Sequence, residues 1–258
     1  SSARFMTLRR TLYAMNLTRT PPPYWEHRQN ILAMLRAYRP AQVIITCAEL
    51  GVFEALADGP RAADDLTAAL GVTTRGLNAL LNAAVTLDLL EKRNGTYANS
   101  PLTAACFARP GTEGYVGRFV KREGAFLRRW SNLTLAVRAG ERPEENRRDE
   151  NPDDWVRGFE LALYELSRPL APIIADALEL PEDRPLRVLD VGGGHGGYSL
   201  GLARRYPNLT ATVFELPRVV PVAREIIANE GLTDRVRVQE GNFQTDDLGN
   251  GYDVALLF

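Results

Sequence analysis

The stretch VLDVGGGHGGYSL, residues 188–200, constrains this chain most, because it sets five glycines in the six positions 192–197 directly behind a short apolar run. Glycine takes positive φ without steric cost and lets a backbone lie flush against a ligand. A strand entering such a turn, with the helical pattern YSLGLARRYP behind it, opens a βαβ unit. Further β-branched or apolar runs follow, ATVFEL, RVRVQE and YDVALLF, with the helical RVVPVAREIIANEGL among them. Strands alternating with helices predict right-handed crossovers and a parallel sheet over residues 186–258.

A ligand of such a sheet sits outside the carboxyl ends of its strands. The sequence puts Asp190 and the glycines after the first strand, Glu215 after the second, and Asn242 and Phe243 after the third. Gly192, Gly194 and Gly197 satisfy the dinucleotide pattern G-x-G-x-x-G. An acid ending the second strand suits the ribose of NAD and of S-adenosylmethionine alike. Asp190 separates the two. Beside a pyrophosphate it is a like-charge contact costing on the order of several kcal/mol at close range. Beside the ammonium and sulfonium of S-adenosylmethionine it is favourable. A structural Asp that caps the turn is the plain alternative.

The N-terminal half reads as helical. Ile31, Leu32, Met34, Leu35 and Tyr38 recur at helical spacing, with Pro40 expected to end that helix. A second helix is expected through Val43, Ile44, Ala48, Val52, Phe53 and Leu56. Over 61–100 a short helix stops at Gly71, Thr74 can cap the next, and Leu77, Leu80, Leu81, Ala84 and Val85 form its apolar stripe. Asn94-Gly95 then predicts a hairpin. The pattern is that of a winged helix. From Arg61 to Arg109 five basic residues stand against four acidic ones, and the second helix offers a groove little beyond Arg75, Asn78 and Asn82. A DNA reader needs phosphate neutralisation and several base-reaching side chains. A structural or dimer-forming winged helix is therefore the reading, with a ligand-sensing regulator as the alternative. Residues 141–154 contain no aliphatic or aromatic side chain and read as a solvated loop. One helix is expected from Trp155 to Pro169 and another from about Pro172 to Leu180.

A formal net charge of −1 gives no global field to recruit nucleic acid or an anionic membrane. Charges interrupt every apolar run before bilayer-spanning length, and the N-terminus shows no signal-peptide pattern. Cys47 and Cys106 read as free thiols of a reducing, cytoplasmic compartment. No metal site is expected.

VLDVGGGHGGYSLGLARRYPNLTATVFELPRVV, followed by RVRVQEGNF and YDVALLF, resembles the class I S-adenosylmethionine-dependent small-molecule O-methyltransferases of plant phenolic and bacterial antibiotic-tailoring type. The elements D-V-G-G-G-x-G, Y-P and [DE]-L-P-x-V together carry the likeness. The resemblance implies a Rossmann-like α/β domain, here four strands of an incomplete parallel sheet, preceded by an all-helical and winged-helix dimerisation domain. It divides the chain at 1–110 and 111–258 and implies a homodimer through the first part. It places Asp190, Gly192, Gly194, Glu215, Leu216, Asn242, Phe243 and Ser167 at the cofactor, with S-adenosylhomocysteine as product. Phe159, Leu163 and Tyr164 border the acceptor, a phenolic or polyketide-like molecule bearing a hydroxyl. Glu215 stands where the family usually has Asp, and Asn242 where many members have Asp; an amide oxygen still accepts a hydrogen bond. The family's Lys falls at Phe258 and its catalytic His beyond, so no catalytic base is identified; neither His27 nor His195 matches it. The strand DVALLF would be left as an exposed apolar edge, which implies a fragment of a longer protein or a partner that completes the sheet. A family member that binds the cofactor without methyl transfer is the runner-up.

Overall fold

A computed structural model describes residues 22–141 and 152–257. The leader ahead of Pro22, most of the expected 141–154 loop and Phe258 lie outside the described residues. The chain divides into two compact units, Ser1–Ala41 and Gln42–Phe258. In the first, the helix Trp25–Arg36 leaves Ile31, Met34 and Leu35 exposed. Pro40 does not end this helix. A new helix, Tyr38–Leu50, has already begun, and Pro40 lies in its first turn, where no backbone N–H is required.

That helix does not run on to Leu56 as expected. Gly51 breaks it at φ +75°, and the short helix Val52–Ala55 follows. β1 (Arg61–Ala62), the helices Ala63–Leu70 and Thr74–Thr86, β2 (Leu90–Arg93) and β3 (Thr96–Asn99) complete the winged-helix pattern. Thr73 rather than Thr74 caps the second of these helices, its side chain accepting from the N–H of Gly76 at 3.4 Å. Asn94 and Gly95 both take positive φ, 49° and 81°, as the two-residue hairpin requires. β1, too short to be read from sequence, adds to the hairpin in the antiparallel order β1-β3-β2. Phe53, Leu66, Leu77, Leu81 and Tyr97 fill the core beneath, and burial there pushes the Cys47 thiol up to about 12.

Next come the helices Pro101–Cys106, Gly117–Trp130 and Leu133–Ala139, and then one long helix, Pro152–Ala177. The sequence predicts two helices where the structure has this one. Pro169 and Pro172 lie on its exposed face, where water can serve the carbonyls they leave free, while Ser167, Ala171 and Ala175 pack inward. Asp153 and Asp154, expected in the loop, belong to its first turn.

The C-terminal part is a parallel sheet of β4 (Leu186–Val191), β5 (Leu209–Glu215), β6 (Val236–Glu240) and β7 (Val254–Leu256) in the order β6-β5-β4-β7. The helices Gly197–Arg205 and Val220–Asn229 cover one face, and Leu186, Val188, Leu200, Val213, Ile226 and Ile227 share their core. Among the described residues β7 pairs with β4 alone, and Leu257 beyond it is 76% exposed. Among those residues too, no helix is long and apolar enough to cross a membrane.

Candidate functional site

The parallel register aligns the carboxyl ends of β4, β5 and β6, so three loops open on one edge of the sheet. Behind β4 the chain turns through Gly192, Gly194 and Gly196 at φ +67°, +51° and +72°, values that non-glycine residues rarely adopt. The turn wraps over Asp190, whose carboxyl carbon lies 2.5 Å from where a Cβ on Gly193 would stand. Asp190 is 1% exposed. Its Oδ2 accepts from the Ser199 hydroxyl at 2.7 Å, while Oδ1 is buried with no partner. Burial, and after it the charge of Glu215, lifts its carboxyl to about 6 despite the Ser199 bond.

At the end of β5, Glu215 reaches back to the same turn. Its Oε2 accepts from the N–H of Gly194 at 3.0 Å and its Oε1 from that of Leu216 at 2.7 Å. A Cβ on Gly192 would lie 3.9 Å from the Phe243 ring and 4.0 Å from Glu215 Oε2, so the sites expected after β4, β5 and β6 meet there. Phe243 is 47% exposed, its ring free to stack. Asn242 is half-buried, and its Oδ1 accepts from the N–H of Gln244 at 3.0 Å.

The long helix closes the other side. Residues 160, 164, 167 and 171 share one helical stripe. They meet the turn and the helix after it in order. Glu160 lies at Gly194, the Tyr164 ring 5.8 Å from that of His195, Ser167 at Gly197 and Ala171 at Gly201. A Cβ on Gly201 would stand 2.7 Å from that of Ala171, so the glycines let the two helices approach backbone to backbone. Ser167, 2% exposed, donates to the carbonyl of Tyr164. The Tyr164 hydroxyl is bonded to Glu230, away from Phe159, which stacks on Trp155 at 5.0 Å. Phe159 and Tyr164 therefore lie on different faces, with half-buried Leu163 between them in sequence.

Glu160 is the residue sequence reading missed. It is 6% exposed, its carboxylate packs against the turn at Gly194, and its Oε2 is buried without a partner. Burial, then the charge of Glu215, raises it to about 7. Its spacing from Tyr164 and Ser167, four and seven residues, was the available signal. Among the described residues no group of three or more His, Cys, Asp and Glu side chains is placed to hold a metal ion. His195 accepts the N–H of Gly197 at Nδ1, 2.9 Å away, and burial holds it down to about 4. It is a neutral element of the turn. His27 is exposed on the helix Trp25–Arg36.

Known proteins are similar to this chain. Residues 32–109 match the O-methyltransferase dimerisation domain and residues 173–257 the O-methyltransferase domain. The N,N-dimethyltransferase OxyT of Streptomyces rimosus is 30% identical over 240 residues, covering 90% of this chain and 69% of its own. The chain belongs to the S-adenosylmethionine-dependent O-methyltransferase family. Within the family, the 3-hydroxy-5-methyl-1-naphthoate 3-O-methyltransferase of Streptomyces sahachiroi is 34% identical over 221 residues, 84% of this chain. The chain spans 63% of that relative's length. Human N-acetylserotonin methyltransferase, solved in complex with S-adenosylmethionine, superposes with a TM-score of 0.73 at 25% identity, over 88% of this chain and 69% of its own. The family's two-part architecture, a helical dimerisation domain before a Rossmann-like domain, is the one described above. Its cofactor is a cation, and the buried, unpartnered carboxylate oxygens of Asp190 and Glu160 beside the glycine turn fit a positively charged group.

Proposed function

We propose that this chain binds S-adenosylmethionine at the carboxyl ends of β4, β5 and β6 and serves methyl transfer to a hydroxyl of a small phenolic or polyketide-like molecule. The observation that carries the reading is the convergence of Asp190, Glu215 and Glu160 on the glycine turn, with one buried oxygen each on Asp190 and Glu160 left unpaired. A pyrophosphate there would face like charge; a sulfonium and an ammonium are complementary. In this reading Asp190 and Ser167 face the methionine part, and Gly192 and Gly194 bring their backbone against the cofactor. Glu215 and Leu216 meet the ribose, and Asn242 and Phe243 the adenine. Bound S-adenosylmethionine supplies an electrophilic methyl group and leaves S-adenosylhomocysteine. Phe159 and Leu163 line the acceptor side, with Tyr164 on the adjoining face, and their part is to exclude water and hold the hydroxyl in line with the methyl group.

Residues 1–110 are read as a dimerisation domain and 111–258 as the catalytic one. The exposed Ile31, Met34 and Leu35 on one helix support a homodimer. The unpaired Cys47 and Cys106 accord with the cytoplasm. A second reading, cofactor binding without methyl transfer, draws on His195, which burial keeps neutral and whose Nδ1 already accepts the N–H of Gly197. Calorimetry with S-adenosylhomocysteine tests the cofactor site: Glu215→Ala and Asp190→Asn should each bind at least about tenfold more weakly, and unchanged affinity refutes the assignment. Mass spectrometry of hydroxynaphthoates and naphthylamines incubated with S-adenosylmethionine decides between the readings. A methyl ether supports hydroxyl transfer, methylated amine alone rejects it, and no product from any acceptor favours the second.

A further inference from the structure

We propose that Glu160 faces the cofactor and makes this site favour the sulfonium form, S-adenosylmethionine, over the uncharged thioether, S-adenosylhomocysteine. The inference rests on the cofactor reading above. It begins from a carboxylate that the glycine turn and the long helix hold together. Glu160 Oε2 lies 2.6 Å from the position of a Cβ on Gly194, so the turn can pass beneath it only because that residue has no side chain. The backbone of His195, the residue between Gly194 and Gly196 at the heart of the motif, acts on the same carboxylate and favours its charged form. The carboxylate therefore packs against the backbone that the cofactor is to lie against, and its Oε2 is buried and unbonded.

A buried carboxylate without a partner is expensive unless something neutralises it. The obvious candidate inside the chain is Arg122, on the helix Gly117–Trp130, whose charge acts on Glu160. Yet Arg122 is drawn elsewhere. Its guanidinium carbon sits 4.3 Å from the ring centre of Phe159, 4.7 Å from that of Phe126 and 5.4 Å from that of Phe119. Its Nε and Nη1 are themselves buried with no hydrogen-bond partner, so the two opposite charges lie near one another without closing. The remaining groups around Glu160 do not help. Glu215, from β5, is a like charge; Asp190, from β4, is another in the same turn; and His195 is neutral. On its own helix, Glu165 turns away to Arg118. The local balance is short of a cation, and the ligand is one.

S-adenosylmethionine and S-adenosylhomocysteine share adenine, ribose, ammonium and carboxylate. They differ by one methyl group and the positive charge on sulfur. Contacts to the shared parts bind both equally, whereas an added carboxylate near the sulfur is felt by one alone. A site with Glu160 beside Asp190 and Glu215 would then hold the methyl donor and let the spent product go.

Calorimetric titration of both ligands into the wild type and Glu160→Gln, at pH 6 and pH 8 and in two buffers of different ionisation heat, tests the proposal. The wild type should prefer S-adenosylmethionine by about tenfold at pH 8, the order of one charge interaction across several ångströms of partly screened interior. The preference should shrink at pH 6, and near pH 7 the donor, but not the product, should drive out a fraction of a proton. In Glu160→Gln the preference should fall to about threefold or less at both pH values, with product affinity unchanged. If both ligands bind and the variant keeps the wild-type preference and proton release, Glu160 does not face the sulfur. If neither ligand binds the wild type, the cofactor reading itself falls and takes this inference with it. Should the variant fail to fold, the wild type alone decides, because a preference that does not change between pH 6 and pH 8 overturns the proposal.

Discussion

Glu165 gives the most quantitative test of how the long helix organises its surroundings. The helix Gly117–Trp130 starts without a side-chain cap of its own, since Val116 precedes it. Glu165 supplies one from outside: its Oε2 accepts the N–H groups of Arg118 at 3.1 Å and Phe119 at 3.4 Å, and its Oε1 takes the Arg118 guanidinium at 2.7 Å. In Glu165→Ala two backbone donors lose their acceptor, each worth about 1 kcal/mol, and a carboxylate at a helix N-terminus adds roughly 0.5 kcal/mol. Against this, burial holds Glu165 above the usual carboxylate range even with these partners, so removing the charge returns part of the loss. The net expectation is a destabilisation of about 2 kcal/mol at pH 7, a fall in Tm of roughly 4–8 °C for a unit this size. Glu165→Gln keeps one acceptor and no charge, and should stay within about 1 kcal/mol of the wild type. Urea unfolding followed by circular dichroism measures both. An alanine variant as stable as the wild type, or a glutamine variant as weak as alanine, would refute this account of the cap.

Other outcomes follow from the same geometry. In the ligand-free protein Glu160 stands near 7 instead of 4.5, so the stability it contributes is complete below about pH 4.5 and is lost as pH rises through 7. Glu160→Gln should therefore gain on the wild type with rising pH, by about 3 kcal/mol at pH 8 and by little at pH 4.5; a gap that does not change with pH in thermal melts would contradict this. Gly194→Ala should destabilise by about 1–2 kcal/mol from its φ of +51° alone, and should weaken S-adenosylhomocysteine binding by shifting the turn backbone that the cofactor lies against, both measurable by melts with and without ligand. Cys47, with its thiol near 12, should resist a thiol reagent at pH 8 in the native protein and react only in denaturant.

The parts of this molecule most legible in its sequence are those where one residue type is forced. Asn94-Gly95 announces its hairpin because both positions need positive φ, and the glycines at 192–197 announce the turn for the same reason. Asp190, Glu215, Asn242 and Phe243 could be placed because a parallel sheet brings its strand ends to one edge. What escaped depended on tertiary context. Pro169 and Pro172 read as a helix boundary, yet packing on the opposite face of the helix outweighs the hydrogen bonds they remove. Pro40 reads as a stop and is instead a start. Glu160 and Glu165 look like the solvated face of a helix, because nothing local says that a glycine turn lies over one and an uncapped helix end over the other.

The stripe of the long helix that meets Gly194, His195, Gly197 and Gly201 also bears on attempts to exchange acceptor-side helices among relatives. Each residue of an α-helix advances by about 100°, so a graft one residue out of phase would swing Glu160 off the turn and bring a bulkier side chain down on Gly201. Chimeras should tolerate broad variation at the positions between the stripe residues. They should fail where helical phase, or the small residue at Ala171, is not preserved.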